Sequence, residues 1–456
     1  KERGILVTIG SICIIGGFLF IQHGPFAYSS SRHVNAIASN SYLAVFHSAT
    51  VKAESWQGSY PIMKDGQAQE ILKNHFPNPP VASPEQTDPS LIGIKHVIFI
   101  IEESFAGNNW QDLSKRQRYM PNLEKWRQKS VYFDRVYATG TRTTRGMEAL
   151  FHGFPPLPGI ALTQRPGYQN LPSLPRVMKA AGFSTTFVYG GWPGFSDFAE
   201  YWQSIGFDKI ITKYDFDNRW FETSWGVADE ILFDRLLREM DRQTSTNEKV
   251  FVSTLTVSNH RPFDIPPGRL TEPVKNRSLE SGVAYADWAL GRFLEEAKTR
   301  QWFKDTLIVI SADHGPRPTG NALVPASSFR VPVLMISDHL KSKTVTSLGS
   351  TMDIPRTLIN LLGISGAENF WGDNLLKQKD GYALVEHDYH VGLLTGSGLT
   401  VLVREGDPSQ WLFDDQGILW PDEINQDQVD LATAIFQTAH KEFYSNPPTK
   451  FFTSGR

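Results

Sequence analysis

Four short stretches of this chain place reactive side chains where an apolar run stops. Glu102-Glu103-Ser104 follows Lys95–Ile101, and Thr139-Gly140-Thr141-Arg142-Thr143-Thr144 follows the run that starts at Val131. Ser258-Asn259-His260-Arg261 follows Lys249–Val257, and Ser311-Ala312-Asp313-His314-Gly315 follows Thr306–Ile310. Carboxylates and neutral imidazoles bind Zn²⁺ or Mn²⁺. A hydroxyl beside such an ion can attack phosphorus once its pKa is lowered. A strand-to-helix turn also aims N–H groups and the positive helix end outward, which suits a phosphate. Glu103, Asp313 and His314 are therefore candidate metal ligands, Thr143 a candidate nucleophile, and His260 a candidate anion binder or proton donor. Each stretch also has a plainer reading. Threonines and acidic residues cap helices, a turn Asp is often followed by a surface His, and Pro262 can fix a turn of polar residues. Glu102 and Glu103, as strand neighbours, face opposite ways, so one of them points inward or toward a charge partner.

For these residues to meet, their apolar runs must be neighbouring strands. Lys95–Ile101, Val131–Ala138, Phe183–Tyr189, Lys249–Val257, Thr306–Ile310 and Val331–Ile336 read as strands buried on both faces. Helical patterns separate them at Pro121–Ser130, Leu174–Ala181, Val227–Arg242, Leu279–Trp302 and Ile354–Leu362. The alternation predicts an α/β fold with a mostly parallel central sheet flanked by helices. Such sheets bind ligands beyond the carboxyl ends of their strands, where the four stretches fall. Tyr382–Asp388 and Leu399–Val403 read as later strands of a smaller C-terminal subregion, and Gln428–Tyr444 as a closing helix. His387-Asp388-Tyr389-His390 resembles a metal motif, but at a strand end such residues more often pack or face solvent.

The net charge of −3 and the lack of a basic run give no reason to expect nucleic acid. The single cysteine, Cys13, excludes an intrachain disulfide and a cysteine zinc cluster. Gly4–Gln22 is an uncharged stretch of bilayer-spanning length preceded by Lys1 and Arg3, so we expect a transmembrane segment with the remainder outside the cytoplasm. The chain opens at Lys rather than Met, and we expect a fragment with further spans upstream. Val34–Val51 has helical spacing suited to a membrane surface or to packing against the main domain, and the proline-rich Phe76–Pro89 reads as a linker. The expected organisation is a membrane segment at 1–24, a membrane-proximal helix and linker at 25–91, and an extracytoplasmic catalytic domain at 92–456.

Pro121-Asn122-Leu123-Glu124 with Val131-Tyr132-Phe133 resembles the alkaline phosphatase and sulfatase superfamily. Within it, Glu103-Ser104-Phe105, Gly140-Thr141-Arg142-Thr143, Ser258-Asn259-His260-Arg261-Pro262-Phe263 and Asp313-His314-Gly315 are similar to the lipoteichoic acid synthase family and its Gram-negative relatives. The resemblance spans Lys95–Gly363 with the motifs in order. It implies that Glu103, Thr143, Asp313 and His314 hold one divalent ion, Mn²⁺ first, with Mg²⁺ or Zn²⁺ as alternatives. It also implies that Thr143 attacks a lipid phosphodiester to give a phospho-threonine intermediate, and that His260 binds the transferred group and assists proton transfer. Gly-Thr-Xaa-Thr selects Thr143, leaving Thr144 as the alternative. The implied function is transfer of a phosphoglycerol head group from phosphatidylglycerol to a glycan or lipid acceptor at the outer face of the cytoplasmic membrane. The alternatives are phosphoethanolamine transfer, phosphodiester or phosphomonoester hydrolysis, and a non-catalytic membrane-anchored binding or sensing protein. The family's Trp and Arg near the substrate phosphate align with Ser196 and Phe198, so Arg142, Trp192 or Asp197 would take that place. No Cys-Xaa-Pro-Xaa-Arg context occurs, which argues against sulfate ester hydrolysis. The lack of paired cysteines disfavours phosphoethanolamine transfer.

Overall fold

A computed structural model describes residues 56–76, 93–105, 113–217, 220–246, 249–270, 277–316, 318, 322–378, 381–413 and 419–445. The expected segments at Gly4–Gln22 and Val34–Val51, and all of Phe76–Pro89 but Phe76, lie outside them. Among the described residues no helix is long and apolar enough to cross a membrane. Apart from Ala322 and Leu323, the described residues belong to one compact unit, 55–319 with 324–456.

The strands are β1 (His96–Glu102), β2 (Val131–Tyr137), β3 (Ser184–Tyr189), β4 (Lys209–Ile211), β5 (Glu222–Thr223), β6 (Gly226–Val227), β7 (Val250–Leu255) and β8 (Thr306–Ala312). They continue with β9 (Arg330–Ile336), β10 (Lys343–Ser350), β11 (Ala383–His387), β12 (His390–Thr395), β13 (Gly398–Leu402), β14 (Ser409–Phe413) and β15 (Leu419–Asp422). The helices used below are α1 (Asp65–His75), α2 (Pro121–Arg127), α3 (Thr143–Met147), α4 (Asp229–Thr244), α5 (Leu279–Ala297), α6 (Ile354–Leu362) and α7 (Gln426–Ser445).

Eight strands form the central sheet in the order β10-β2-β9-β8-β1-β7-β3-β4. Its pairings are parallel except those of β9, which runs antiparallel to both β2 and β8. The reversal leaves β1, β2, β7 and β8 pointing the same way, so their carboxyl ends share one edge of the sheet. β1, β7 and β8 are buried at every position, as runs without polar alternation require. Each core aliphatic or aromatic side chain withdrawn from water there contributes about 1.5–3 kcal/mol.

The differences from expectation have local causes. The helix expected from Val227 begins at Asp229, because Gly226 (φ +155°) and Val227 turn back to pair with β5. The helix expected to reach Trp302 ends at Ala297, and a separate short turn holds Gln301–Asp305. β10 escaped the sequence pattern because it is a polar edge strand, Lys-Thr-Val-Thr-Ser-Leu-Gly-Ser, mostly solvent-facing over its first half. β11 to β15 form an antiparallel meander in which the two expected C-terminal strands both pair with β12.

A buried acid anchors one of the helices. Asp287 on α5 accepts N–H bonds from Asn122 (3.0 Å) and Leu123 (2.7 Å), and so caps α2. Burial nevertheless pushes its carboxyl up to about 6. Residues N-terminal to the expected domain boundary join the same body. α1 packs on α7, and Gln437 bridges to the Met63 backbone through both an acceptor and a donor bond of 2.9 Å.

Candidate active site and metal centre

β1 ends in Glu102 and runs into Glu103, and both carboxylates are buried, at 0% and 4% exposure. The acidic pair therefore has no solvated member. Glu102 accepts a hydrogen bond from Thr256 Oγ1 (3.1 Å), and burial together with Asp229 holds its pKa well above the carboxylate range. The same Thr256 oxygen accepts the Glu103 N–H at 2.9 Å, tying the β1 and β7 ends together. Ser104, at φ +49°, turns the chain and donates its N–H to Asp313 Oδ1 (2.8 Å) beyond β8. The Glu103 side chain then lies over Asp313 and His314.

Thr143 comes from the β2 end. α3 opens at Thr143, its capping position is Arg142 in extended conformation, and no side chain caps it. The capping explanation for these threonines is thus not realised, Thr141 included. The Thr143 hydroxyl instead donates to Glu103 Oε2 at 3.2 Å. Arg145 fixes the turn from behind. It is buried, bonds to Glu148 (2.8 Å) and the Gly159 carbonyl (2.5 Å), and pairs with Glu386 of β11 at 3.3 Å. A buried ion pair of this kind is a positioning device more than a source of net stability.

Glu103, Asp313 and His314 each turn one ligand atom toward the others, all within 4.8 Å. His314 Nε2 lies 3.8 Å from Glu103 Oε1 and 3.5 Å from Asp313 Oδ2. His314 Nδ1 is 2.7 Å from the Gly315 carbonyl, which requires a proton on Nδ1 and leaves the Nε2 lone pair facing the carboxylates. Asp313 Oδ2 is buried with no hydrogen-bond partner. Burial, then the neighbouring Glu103 charge, pushes Asp313 up to about 7. Burial alone would lower His314, but Asp313 and Glu103 outweigh it and its pKa stands above the ordinary imidazole value. Two buried carboxylates beside an orphaned oxygen and an imidazole lone pair fit a divalent cation, and an oxygen-rich set with one imidazole suits Mn²⁺ or Mg²⁺. Thr143 Oγ1 lies where it could join them.

This close packing makes one glycine sensitive. A Cβ at Gly146 of α3 would fall 2.6 Å from both Cβ and the carbonyl oxygen of Asp313. Gly146→Ala should displace Asp313 from the trio and destabilise the fold by about 1–3 kcal/mol. Thermal melts and metal titration of the variant check this; native metal affinity in the variant would contradict it.

His260 lies on the rim. Its neighbour Asn259 donates to the carbonyls of Glu103 (3.0 Å) and Ser104 (3.1 Å), which ties the β7 loop to the β1 loop. The ring of His260 lies against Trp225 with centroids 3.9 Å apart. The Arg261 carbonyl takes Trp225 Nε1–H at 2.6 Å and lies 2.9 Å from His260 Nδ1. That fixes the proton on Nδ1 and leaves Nε2 to take up a proton and, so protonated, to bind an anion or pass the proton on. Asp229 holds the base of this loop, accepting the Val257 and Ser258 N–H groups at 3.0 Å, with its own pKa raised by burial to about 6.

Of the sequence candidates, Glu103, Thr143, Asp313 and His314 come together. Arg142 is near enough for its charge to lower the His314 pKa. Trp192 is 55% exposed, and Asp197 sits at φ +54° before a short helix. Among the described residues no hydrogen bond or ion pair joins either to the trio. The His387–His390 stretch is the β11–β12 hairpin, where the Tyr389 carbonyl accepts Tyr60 OH (2.5 Å) and His390 Nδ1 accepts the Arg404 N–H (3.2 Å), so its role is packing. Sequence reasoning missed Thr256, Asn259 and Trp225. Asn259 adjoins a candidate and could have been weighed with it. Trp225 lies 35 positions before His260 and carries no sequence signal.

Residues 95–364 match the family model described as Sulfatase. Phosphoglycerol transferase I of Xanthomonas campestris pv. campestris is 27% identical over 296 residues, which cover 59% of this chain and 41% of that protein. The Salmonella arizonae protein of the same name is 25% identical over 250 residues, 50% of this chain and 32% of its own. The chain thus spans less than half the length of these curated relatives. Among solved structures, a protein in the alkaline phosphatase superfamily from Vibrio parahaemolyticus is similar at a TM-score of 0.78 and 27% identity, over 86% of this chain and 99% of that one. The lipoteichoic acid synthase LtaP from Listeria monocytogenes shares the fold at a TM-score of 0.69 and 20% identity, over 82% of this chain and 98% of its own.

Proposed function

Because the chain belongs to the sulfatase family, we propose that it moves a phosphoglycerol head group from phosphatidylglycerol to a glycan or lipid acceptor, through a covalent adduct on Thr143. The observation that carries this reading is the Thr143 hydroxyl on Glu103 Oε2, beside the buried Glu103, Asp313 and His314 trio. The activity for which the curated relatives are named supports phosphoglycerol as the group moved.

A divalent ion held by Glu103, Asp313, His314 and Thr143, Mn²⁺ first, would supply Lewis acidity and lower the pKa of the Thr143 hydroxyl. Thr143 Oγ1 attacks the donor phosphorus as the bond to the diacylglycerol oxygen breaks. The Thr143 proton leaves toward Glu103, its present hydrogen-bond acceptor. His260 Nε2, held outward by Trp225 and the Arg261 carbonyl, carries the proton that diacylglycerol needs. Arg142 takes the phosphoryl oxygens, with Trp192 and Asp197 further out toward the glycerol. An acceptor hydroxyl, giving its proton to His260 Nε2, then displaces Thr143 Oγ1 from phosphorus, and Thr143 takes its proton back from Glu103; with water instead, glycerol phosphate is released. We place the site on the outer face of the cytoplasmic membrane, with 1–24 as anchor, 25–91 as a membrane-proximal segment whose α1 packs on α7, and 92–456 as catalytic domain.

Incubation with vesicles carrying head-group-labelled phosphatidylglycerol and Mn²⁺ should give diacylglycerol, with the label on acceptor or free glycerol phosphate. Release of diacylglycerol only from phosphatidylethanolamine would overturn the donor.

A further inference from the structure

We propose that the aromatic surface around Tyr214, Trp220 and Phe221 is a bilayer-docking face that seats the site at the level of lipid head groups. Tyr214 is 69% exposed, Trp220 40% and Phe221 38%, and Trp192 is exposed nearby. Three short segments carry these residues, and backbone bonds join them. The Lys213 N–H donates to the Gly191 carbonyl (3.3 Å), Gly191 bridges Gly226, and Val227 donates to Gly190 (3.0 Å). Lys213 Nζ also pairs with Glu222 at 3.2 Å. A Cβ at Gly226 would fall 2.3 Å from the Gly190 carbonyl, so the approach of these segments is close.

The surface is continuous with the site. The hairpin β5–β6 that follows Trp220 and Phe221 carries Trp225 at its turn, against the His260 ring. A lipid whose phosphate reaches His260 therefore has these aromatics beside its glycerol and upper acyl chains.

Chemistry favours a bilayer over a soluble glycan. A sugar-binding face combines aromatic platforms with polar side chains ready for hydroxyls. Here, among the described residues, the neighbouring carboxylates are engaged internally. Glu222 holds Lys213, Asp215 accepts the Thr212 N–H (2.8 Å), and Asp264 accepts from Ser224 (2.7 Å) and pairs with Arg277 (2.8 Å). Trp, Tyr and Phe with no net basic charge around them suit the boundary between head groups and acyl chains, where ring amphipathicity rather than charge drives insertion. Docking should accordingly be insensitive to salt.

This inference rests on a lipid donor, and its test is separable from that reading. The full chain is reconstituted in phosphatidylcholine vesicles, with and without lipids brominated near the head group, and its tryptophan fluorescence is measured. Bromolipid quenching should fall in Trp220→Leu, persist from low to high salt, and not be relieved by soluble oligosaccharide. The double variant Tyr214→Ser, Phe221→Ser should turn over a soluble phosphodiester at the native rate and vesicle-borne phosphatidylglycerol about tenfold more slowly. Unchanged quenching in Trp220→Leu, or protection of Trp220 by oligosaccharide alone, would overturn the proposal. Quenching as expected with no turnover of phosphatidylglycerol would instead overturn the donor and leave the docking face standing.

Discussion

Thr143→Ala loses turnover by about 10³-fold or more in kcat, with KM changed only a few-fold, because it removes the atom that bonds to phosphorus. Thr143→Ser keeps an oxygen at that place and retains measurable transfer. Thr144→Ala stays within about tenfold of the native rate, since of these two threonines it is Thr143 whose hydroxyl bonds to Glu103. Stability does not confuse the comparison. Thr143 is only half-buried and no side chain caps α3, so its truncation costs under about 1 kcal/mol. Steady-state kinetics of the three variants with vesicle-borne donor checks this, and a Thr143→Ala enzyme within tenfold of native excludes Thr143 as nucleophile.

Asp313→Asn should abolish activity and yet stabilise the metal-free protein. Asp313 is fully buried with Glu103 beside it, and its carboxyl titrates near 7 in the fold against an ordinary value of 3.8. A raised folded pKa means that Asp313 favours the fold while protonated, below about pH 4, and that this contribution is lost as pH rises through 7. Asparagine keeps an oxygen for the Ser104 and His314 N–H groups and puts an amide where Oδ2 has no partner. In chelator at pH 8 the variant should therefore be more stable by about 1–2 kcal/mol, and the gain should fade toward pH 4. Added Mn²⁺ should reverse the order, because only the native protein gains binding energy. Melting curves across pH, with and without Mn²⁺, check both signs. A variant less stable than native in chelator at pH 8 would show that the trio is not strained by unpaired charge.

The parts legible in the sequence were those under the strongest local constraint. The runs through Val97–Ile101 and Leu307–Ile310 have no polar face, so they had to be interior strands, and acids or a histidine at their ends had to be explained. Glu103, Asp313 and His314 could be picked out because charge at the end of a buried strand needs a partner. The reversal of β9 had no such signal, since a strand buried on both faces reads alike in either direction. β10 was hidden by its polar outer edge. The supports of the site were hidden for another reason. Thr256, Asn259 and Trp225 act through single contacts that link distant loops, and a hydroxyl, an amide or an indole in a loop gives no pattern from which such a contact follows. Arg145 likewise carries no sequence signal that burial turns it inward to Glu148 and Glu386.

Thr143 itself should carry the transferred group. The full chain with Mn²⁺ and phosphatidylglycerol, without acceptor, is acid-quenched within the first turnover, digested, and its peptides are sequenced by mass spectrometry. One phosphoglycerol group should appear on Thr143, formed in step with the first equivalent of diacylglycerol. Diacylglycerol released in that first turnover with Thr143 unmodified, or with the group on Thr144 or His260, would contradict it.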